Sequence, residues 1–343
     1  MSVRDVAALA GVSVGTVSNA LNRPHVLAAE TLERVHDAIA RLGFVRNESA
    51  RQLRAGSSTT LGLVVLDVTN PFFTDVARGV EDAANDAGLA VILCNSDERA
   101  DKEANYLNVL EQQRVQGILI TPVDVIGERI VQLRERGMPI VLLDRIAAGG
   151  DQCSVSVDDV HGGELALNHL LEMGHRRIAY VGGPYTLRQV QDRFTGAQGA
   201  VDRWTRAKAH LVPVTVSGLN TDAGVRAGAE MFGGSSRPTA VFCANDLLAL
   251  GVLQEAVRHG LRVPQDVAIV GYDDIQFAAS ASHPLSSVRQ PRQLLGRTAA
   301  QLLIAERADP DHQHQQVIFE PELVVRQSSD HRRPAGRAKA ARP

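Results

Sequence analysis

Residues 3–22 read VRDVAALAGVSVGTVSNALN. Two short helical periods flank a glycine. Val6, Leu9 and Ala10 share one face of a helix over Val3–Ala10. Gly11 follows, where a tight turn needs a backbone free of Cβ clash. Ser13 can cap a second helix, Val14–Leu21, whose Val17, Ala20 and Leu21 face inward. Ala7 and Gly11 are small where the helices must cross closely. A third helix, Thr31–Leu42, closes the core through Leu32, Val35, Ile39 and Leu42, with Gly43 as its C′ residue. Two helices around such a turn form the unit that lays its second helix in a DNA major groove. A generic helical hairpin is the plainer alternative.

Working outward, residues 47–59 are a polar linker, and a different rhythm begins at residue 60. Short apolar runs such as Leu61–Val68, Leu89–Cys94, Ala240–Cys243 and Val267–Val270 alternate with amphipathic stretches such as Phe73–Ala87, Asp158–Met173 and Arg292–Ala305. Short buried strands alternating with helices imply parallel sheets covered on both faces. Roughly eleven strands are too many for one such sheet, so two lobes are expected. Ligands of such sheets bind in a cleft at the carboxyl ends of the strands. The expected fold class is therefore α/β: an all-α helix-turn-helix head, then a sensor of two doubly wound parallel-sheet lobes. The boundaries expected are a head over 1–46, a hinge and linker over 47–59, and a core over 60–329. Within the core the N-lobe takes about 60–157 and 288–317, and the C-lobe about 158–287 and 318–329. A disordered basic tail over 330–343 completes the chain.

The chain of 343 residues is 44% hydrophobic and carries a net charge of −3. The distribution says more than the total. Residues 1–58 sum to +2, residues 330–343 to +4, and the rest to −9. An acidic body with mildly basic ends fits nucleic-acid binding confined to a small head. No apolar run is long enough to span a bilayer, and the N-terminus lacks a secretory h-region, so a cytoplasmic protein without membrane contact is expected. Cys94, Cys153 and Cys243 are far apart, with no CxxC and no matching His nearby, which reads as buried reduced thiols. No P-loop, GxSxG elbow or metal-spaced His/Cys cluster is visible. An enzyme is not expected, nor is a cofactor or a metal.

The run Val3–Asn22, together with GFVRNESARQL over residues 43–53, resembles the opening of the LacI/GalR family of bacterial regulators. The resemblance extends over residues 2 to about 329. It implies a palindromic double-stranded DNA operator held by a homodimer. Val14, Gly15 and Asn19 stand at the family's base-reading positions, with Asn19 suited to a hydrogen bond with a base edge. Ser13, Thr16 and Ser18 would hold phosphates, which position the head without specifying sequence. Gly15 has no side chain, so fewer bases are read directly. Residues 47–55 match the family's hinge, with Asn47, Ala50 and Leu53 at DNA. A helix so short is marginal alone, and Leu53 matches a minor-groove wedge. Two departures stand out: Ala28 replaces the usual Ser or Thr cap of the third helix, and Arg46 replaces the usual Pro.

Sugars call for flat aromatic faces against C–H surfaces and for planar forks that pair with adjacent hydroxyls. The chain offers both at expected strand ends. They are Asn70-Pro71-Phe72-Phe73, Asp144-Arg145, Arg193, Asn245-Asp246, Asp273-Asp274 and Gln290. Taken singly, Asp144 and Arg145 read as a surface ion pair, Asn245 and Asp246 as helix caps, and the two phenylalanines as core. Together they resemble the pocket of ribose-binding proteins and their regulator cousins. By that resemblance Phe72 and Phe73 sandwich the ring, while Asn70, Asp144, Arg145, Arg193, Asn245, Asp273 and Gln290 bind hydroxyls. Leu219 stands where an aromatic usually completes the sandwich, a departure that counts against ribose itself. A small sugar effector of pentose or pentoside type follows, with a nucleoside or disaccharide also compatible with Leu219. Closure about crossovers near residues 157, 287 and 318 would then release the operator. The alternative within the family is control by a phosphorylated carrier protein or a purine corepressor. A sugar receptor or an enzyme without a role at DNA is a remoter alternative.

Overall fold

The computed structural model describes residues 1–44, 58–123, 127–309 and 311–330. The hinge positions Asn47, Ala50 and Leu53, Arg46 and the tail beyond residue 330 lie outside the described residues. The chain divides into two compact units, Met1–Ser58 and Thr59–Pro343.

The first unit contains α1 (Val3–Ala10), α2 (Val14–Asn22) and α3 (Ala29–Leu42). Ser2 and Asp5 satisfy the free amides at the start of α1 reciprocally. Ser2 N–H donates to Asp5 Oδ2 at 2.7 Å, and Asp5 N–H donates to Ser2 Oγ at 3.4 Å. Gly11 closes α1 in the left-handed region at φ 65°, where a Cβ would be strained. Ser13 Oγ accepts from Thr16 N–H at 3.0 Å and starts α2. Ala28, at the head of α3, makes no side-chain cap bond. The core consists of Val6, Ala7, Ala10, Val17, Ala20, Val35 and Ala38. One inward assignment is corrected: Leu9 is 41% exposed, and Ala7 is buried instead. The face that meets α3 is Val3-Val6-Ala7-Ala10, the i, i+3, i+4, i+7 stripe, which leaves position 9 outside it.

The second unit holds two six-stranded sheets. The first sheet contains β1 (Thr60–Val65), β2 (Ala90–Asn95), β3 (Ile118–Ile120), β4 (Ile140–Leu143), β5 (Ser154–Val157) and β11 (Gln316–Phe319), in the order β2-β1-β3-β4-β5-β11. The second contains β6 (Arg177–Gly182), β7 (His210–Thr215), β8 (Ala240–Cys243), β9 (Ala268–Asp273), β10 (Ser286–Arg289) and β12 (Glu322–Val324), in the order β7-β6-β8-β9-β10-β12. Their helices are α4 (Pro71–Asp86), α5 (Ala100–Gln112), α6 (Glu128–Glu135), α7 (Asp159–Glu172), α8 (Arg188–Arg203), α9 (Thr221–Gly233), α10 (Asp246–Arg258), α11 (Gln276–Ser280) and α12 (Arg292–Ala308). All strand pairs are parallel except β10 with β12. Both sheets reverse direction of growth after their first strand, the doubly wound pattern whose switch point opens a crevice at the strand carboxyl ends.

The chain crosses between sheets three times. The second and third crossings fall two residues later than the spacing predicts. Arg289 still pairs with Asp273 in the second sheet, and Phe319 still pairs with Val157 in the first. The breaks come at Gln290-Pro291 and Glu320-Pro321, where proline lacks the N–H that would extend the ladder.

Candidate functional site

On the first unit, the start of α2 presents an outward surface. Ser13, Val14, Gly15 and Asn19 are exposed, and Thr16 and Ser18 are half-buried. Ser13 and Thr16 hydroxyls lie 2.9 Å apart, and Asn22 Nδ2 donates to the Ser18 carbonyl at 2.8 Å. Val17 and Ala20 hold the opposite face in the core. A Cβ on Gly15 would meet only Ser13 Oγ, at 3.5 Å, so the glycine keeps this surface flat and is not demanded by packing.

In the second unit a cleft is lined by Leu66, Asp67, Asn70, Phe72, Phe73, Glu98, Asp144, Gln189, Arg193, Leu219, Asn245 and Asp273. Each lies at or beyond the carboxyl end of a strand or on the helix that follows one. Of the ten effector positions expected from sequence, the fold brings eight together here. Two are set back. Gln290 occupies the second crossover and donates from Nε2 to Asp273 Oδ1 at 2.7 Å. Arg145 points instead toward the Pro122 carbonyl, at 3.4 Å.

Asn245 does the capping that its plainer reading predicts, and Asn70 caps its helix too. Asn70 Oδ1 accepts from Phe72 N–H at 3.0 Å. Asn245 Oδ1 accepts from Leu248 N–H at 2.9 Å while its Nδ2 donates to the Leu219 carbonyl at 2.9 Å. Phe72 and Phe73 are buried, with centroids 5.0 Å apart and planes at 81°. Rings so nearly perpendicular cannot both lie flat on opposite faces of one sugar. The expected sandwich by this pair is therefore corrected to a single stacking face with an edge beside it.

Arg193 is the best-held group in the cleft. Its Nε donates to Asp159 Oδ1 at 2.8 Å, one Nη donates to the Ala244 carbonyl at 2.7 Å, and the guanidinium lies 3.7 Å from the Tyr272 ring centroid. Asp273 Oδ1 is 3.8 Å away. Burial opposes the charge, yet Asp159, Tyr272, Asp273 and Asp144 together hold Arg193 well above the ordinary arginine range. Helix packing delivers it there. A Cβ on Gly163 would sit 2.1 Å from the Arg193 carbonyl, and one on Gly196 1.8 Å from that of Val160. Only hydrogen at both positions lets α7 and α8 approach so closely.

The carboxylates are less settled. Burial raises Asp144 well above the usual range, with Asp159 adding to the shift and Arg193 opposing it. Asp273 is raised to about 6 by burial, against Arg193 and Gln290. Glu98 is raised to about 7 by burial, then by Asp67 and Asp97. Asp144 Oδ2 has only a long 3.4 Å bond from Gln189, and its Oδ1 is buried without a protein partner, as is Gln290 Oε1. Buried acceptors of this kind are costly unless something donates to them. Asp144 and Asp273 also adopt left-handed backbone, at φ 52° and 101°. Such conformations cluster at ligand sites.

Sequence spacing misses Asp67, Glu98, Gln189 and Asp159. No motif marks any of the four, and only the fold shows their direction. Asp274 belongs elsewhere: it is paired to Arg289 and Arg326 at 2.8 and 2.6 Å, which removes it as a free acid or base. The three cysteines are free and buried. The expectation that none lies near a His fails for Cys153. Its Sγ is 3.2 Å from His312 Nε2 and 3.7 Å from His314 Nδ1. Chain separations of 159 and 161 residues hide this meeting from any local motif.

Residues 2–47 match the family of bacterial regulatory proteins of lacI type, and residues 167–329 match a periplasmic binding protein-like domain. An HTH-type transcriptional repressor PurR from Vibrio campbellii is 33% identical over 95% of this chain and 97% of its own. The lac repressor dimer bound to operator and the anti-inducer ONPF superposes with a TM-score of 0.82 at 26% identity, covering 96% of this chain and 99% of its own. A LacI family transcriptional regulator from Enterococcus faecium with bound ribose superposes with a TM-score of 0.72 at 31% identity, covering 79% of this chain and 98% of its own. These relatives are regulators and not enzymes. Among the described residues, no helix is long and apolar enough to cross a membrane.

Proposed function

The chain belongs to the LacI family of bacterial regulatory proteins and is a DNA-binding transcriptional repressor; from that premise we propose that paired heads hold a palindromic operator and that a ribose-like pentose or pentoside in the sensor cleft releases it. The observation that carries the reading is the convergence of Asp144, Arg193 and Asp273 beside Phe72, with buried acceptors left over on Asp144 and Gln290. A polyol supplies what that set needs: hydroxyls to donate to the carboxylates and accept from the guanidinium, and a C–H face for the ring. The charge balance argues against a phosphorylated ligand, which would meet Asp67, Glu98, Asp144 and Asp273 while Arg193 is already paired with Asp159.

On the first unit, Val14, Gly15 and Asn19 would face base edges, and Ser13, Thr16 and Ser18 would face phosphates. Asn47, Ala50 and Leu53 would follow in the hinge. Dimerisation would cover apolar surface on the edge strand β2, where Ile92 and Leu93 are 37% and 46% exposed. Such a repressor works in the bacterial cytoplasm.

The relative named PurR favours a second reading, a purine corepressor. Purine N–H groups could donate to the same carboxylates and stack on the same ring. Calorimetry separates the two. Full-length protein titrated with ribose, other pentoses, a nucleoside, a disaccharide and a purine base should give heat with a pentose or pentoside. Heat with the purine base alone would replace the sugar reading by the corepressor one.

A further inference from the structure

At the opposite end of the first sheet from the cleft, three elements meet. They are the last turn of α12 at Glu306, the loop that returns to β11 through His312 and His314, and Cys153 at the start of β5. One donor atom from each of these four side chains can be chosen so that all lie within 4.8 Å of one another. Cys153 Sγ is 3.2 Å from His312 Nε2 and 3.7 Å from His314 Nδ1, which is 4.0 Å from Glu306 Oε2. The two imidazole planes stand at 76°.

We propose that Cys153, Glu306, His312 and His314 form a zinc site. Zinc bonds of about 2.0–2.3 Å to S, N and O in a tetrahedron imply donor–donor distances of roughly 3.3–3.6 Å. Three of the donor pairs, at 3.2, 3.7 and 4.0 Å, stand within a few tenths of an ångström of those values, and since every pair lies within 4.8 Å, side-chain rotation of about an ångström closes the rest. The donor set, one thiolate, two imidazoles and one carboxylate, is of zinc type rather than the all-oxygen type of calcium or magnesium. Thiolate and carboxylate together neutralise a divalent cation, with the thiol proton passing to solvent as the metal binds. The Gln315 N–H points at Cys153 Sγ at 3.4 Å, a supporting hydrogen bond of the kind that orients ligands. Entry is open, because Met138, Pro139, Asp151 and Asp309 line a solvent-facing hollow that leads to Glu306 and the two histidines.

The place in the fold gives the ion a consequence. Ser154 N–H bonds the Gln315 carbonyl at 3.0 Å, where β5 and β11 begin to pair. Both strands run from this site to a crossover between the lobes. Four protein ligands fill a tetrahedral zinc shell, which is the structural kind of site. The ion would tie His312 and His314 to the lobe and fix the start of both strands.

Cobalt tests this directly. Untagged full-length protein, stripped with EDTA and titrated with Co2+, should develop a thiolate-to-cobalt charge-transfer band and the intense visible bands of four-coordinate cobalt. Both should saturate at one metal per chain and be displaced by Zn2+, and Zn2+ should raise Tm. His314→Asn, on an exposed side chain, should weaken Co2+ binding about 10-fold or more, and His312→Gln should do the same. Cys153→Ser should remove the charge-transfer band, and the two histidine variants carry the test if that protein does not fold. Absence of the charge-transfer band in the wild type would overturn the proposal. So would a band undiminished in folded His314→Asn and His312→Gln, because Cys94 or Cys243 would then be holding the metal.

Discussion

The two lobes share the order of their five main strands, differ in the direction of the sixth, and bring different things to the cleft between them. The second lobe brings a more fully fixed electrostatic cage: Arg193 held by Asp159, the Ala244 carbonyl and the Tyr272 ring, with Asp273 bonded by Gln290, whose Oε1 stays bare. The first brings unfinished chemistry: the Phe72 and Phe73 rings, the raised Glu98, and Asp144 with a bare buried oxygen. A preorganised half loses little on binding, whereas an unsatisfied half gains most when a donor arrives. The difference implies that effector docks on the second lobe and that closure of the first lobe onto it is where binding energy becomes mechanical work.

If the cage is the dock, its removal should be the largest effect. Arg193→Ala should cut effector affinity by more than about a hundredfold and destabilise the sensor by about 3–5 kcal/mol, since Asp159 would be left buried and unpaired. Calorimetry and thermal melts read the two effects separately, and a variant that keeps full affinity would abolish the distinction between lobes. Asp144→Asn should cost about 10–100-fold in affinity, the worth of a charged hydrogen bond, without loss of Tm, because a carboxylate disfavoured by burial is being replaced by a neutral group. A fall in Tm as large as that of Arg193→Ala would show that both halves are equally preorganised.

Acid should sharpen the same contrast. Protonated carboxyls accept hydroxyl hydrogen bonds poorly, so affinity should fall several-fold as pH drops through about 7 and then about 6, where Glu98 and Asp273 titrate. Stability of the free sensor should move the other way. Both groups bind protons more tightly folded than unfolded, so their contribution grows as pH falls from about 7 toward the ordinary carboxylate range. Melting and binding curves over that window check both signs. The smallest effect expected is from Leu219→Phe, which adds a second flat face and should raise pentose affinity a few-fold.

Much of this was legible in the chain. The glycine between two helical periods located the head, and alternating apolar runs located both sheets. The losses have physical causes. β10 carries Ser286 and Ser287, which are fully buried and whose hydroxyls donate to the Arg326 carbonyl and to Asp246 Oδ1, so no hydrophobic run marks the strand. The crossovers shifted because strand pairing continues to the residue before each proline break. Arg193 is readable as a candidate, yet Asp159, the residue that holds it, lies 34 positions away and signals nothing locally. The Cys153 cluster depends wholly on tertiary contact. In the head, leucine is the larger apolar residue and draws the inward reading to position 9, whereas the helix period selects Ala7.

If the proposed effector acts as a switch, occupancy of the cleft must be read at DNA. The most direct test is the affinity of full-length protein for a labelled duplex from its own promoter, measured by anisotropy with and without saturating pentose. A loosening of about 5–150-fold is expected, the usual span of such coupling, and it should disappear in Arg193→Ala at a pentose concentration just sufficient to saturate the wild type. A duplex held equally well with and without every pentose and pentoside offered would contradict it.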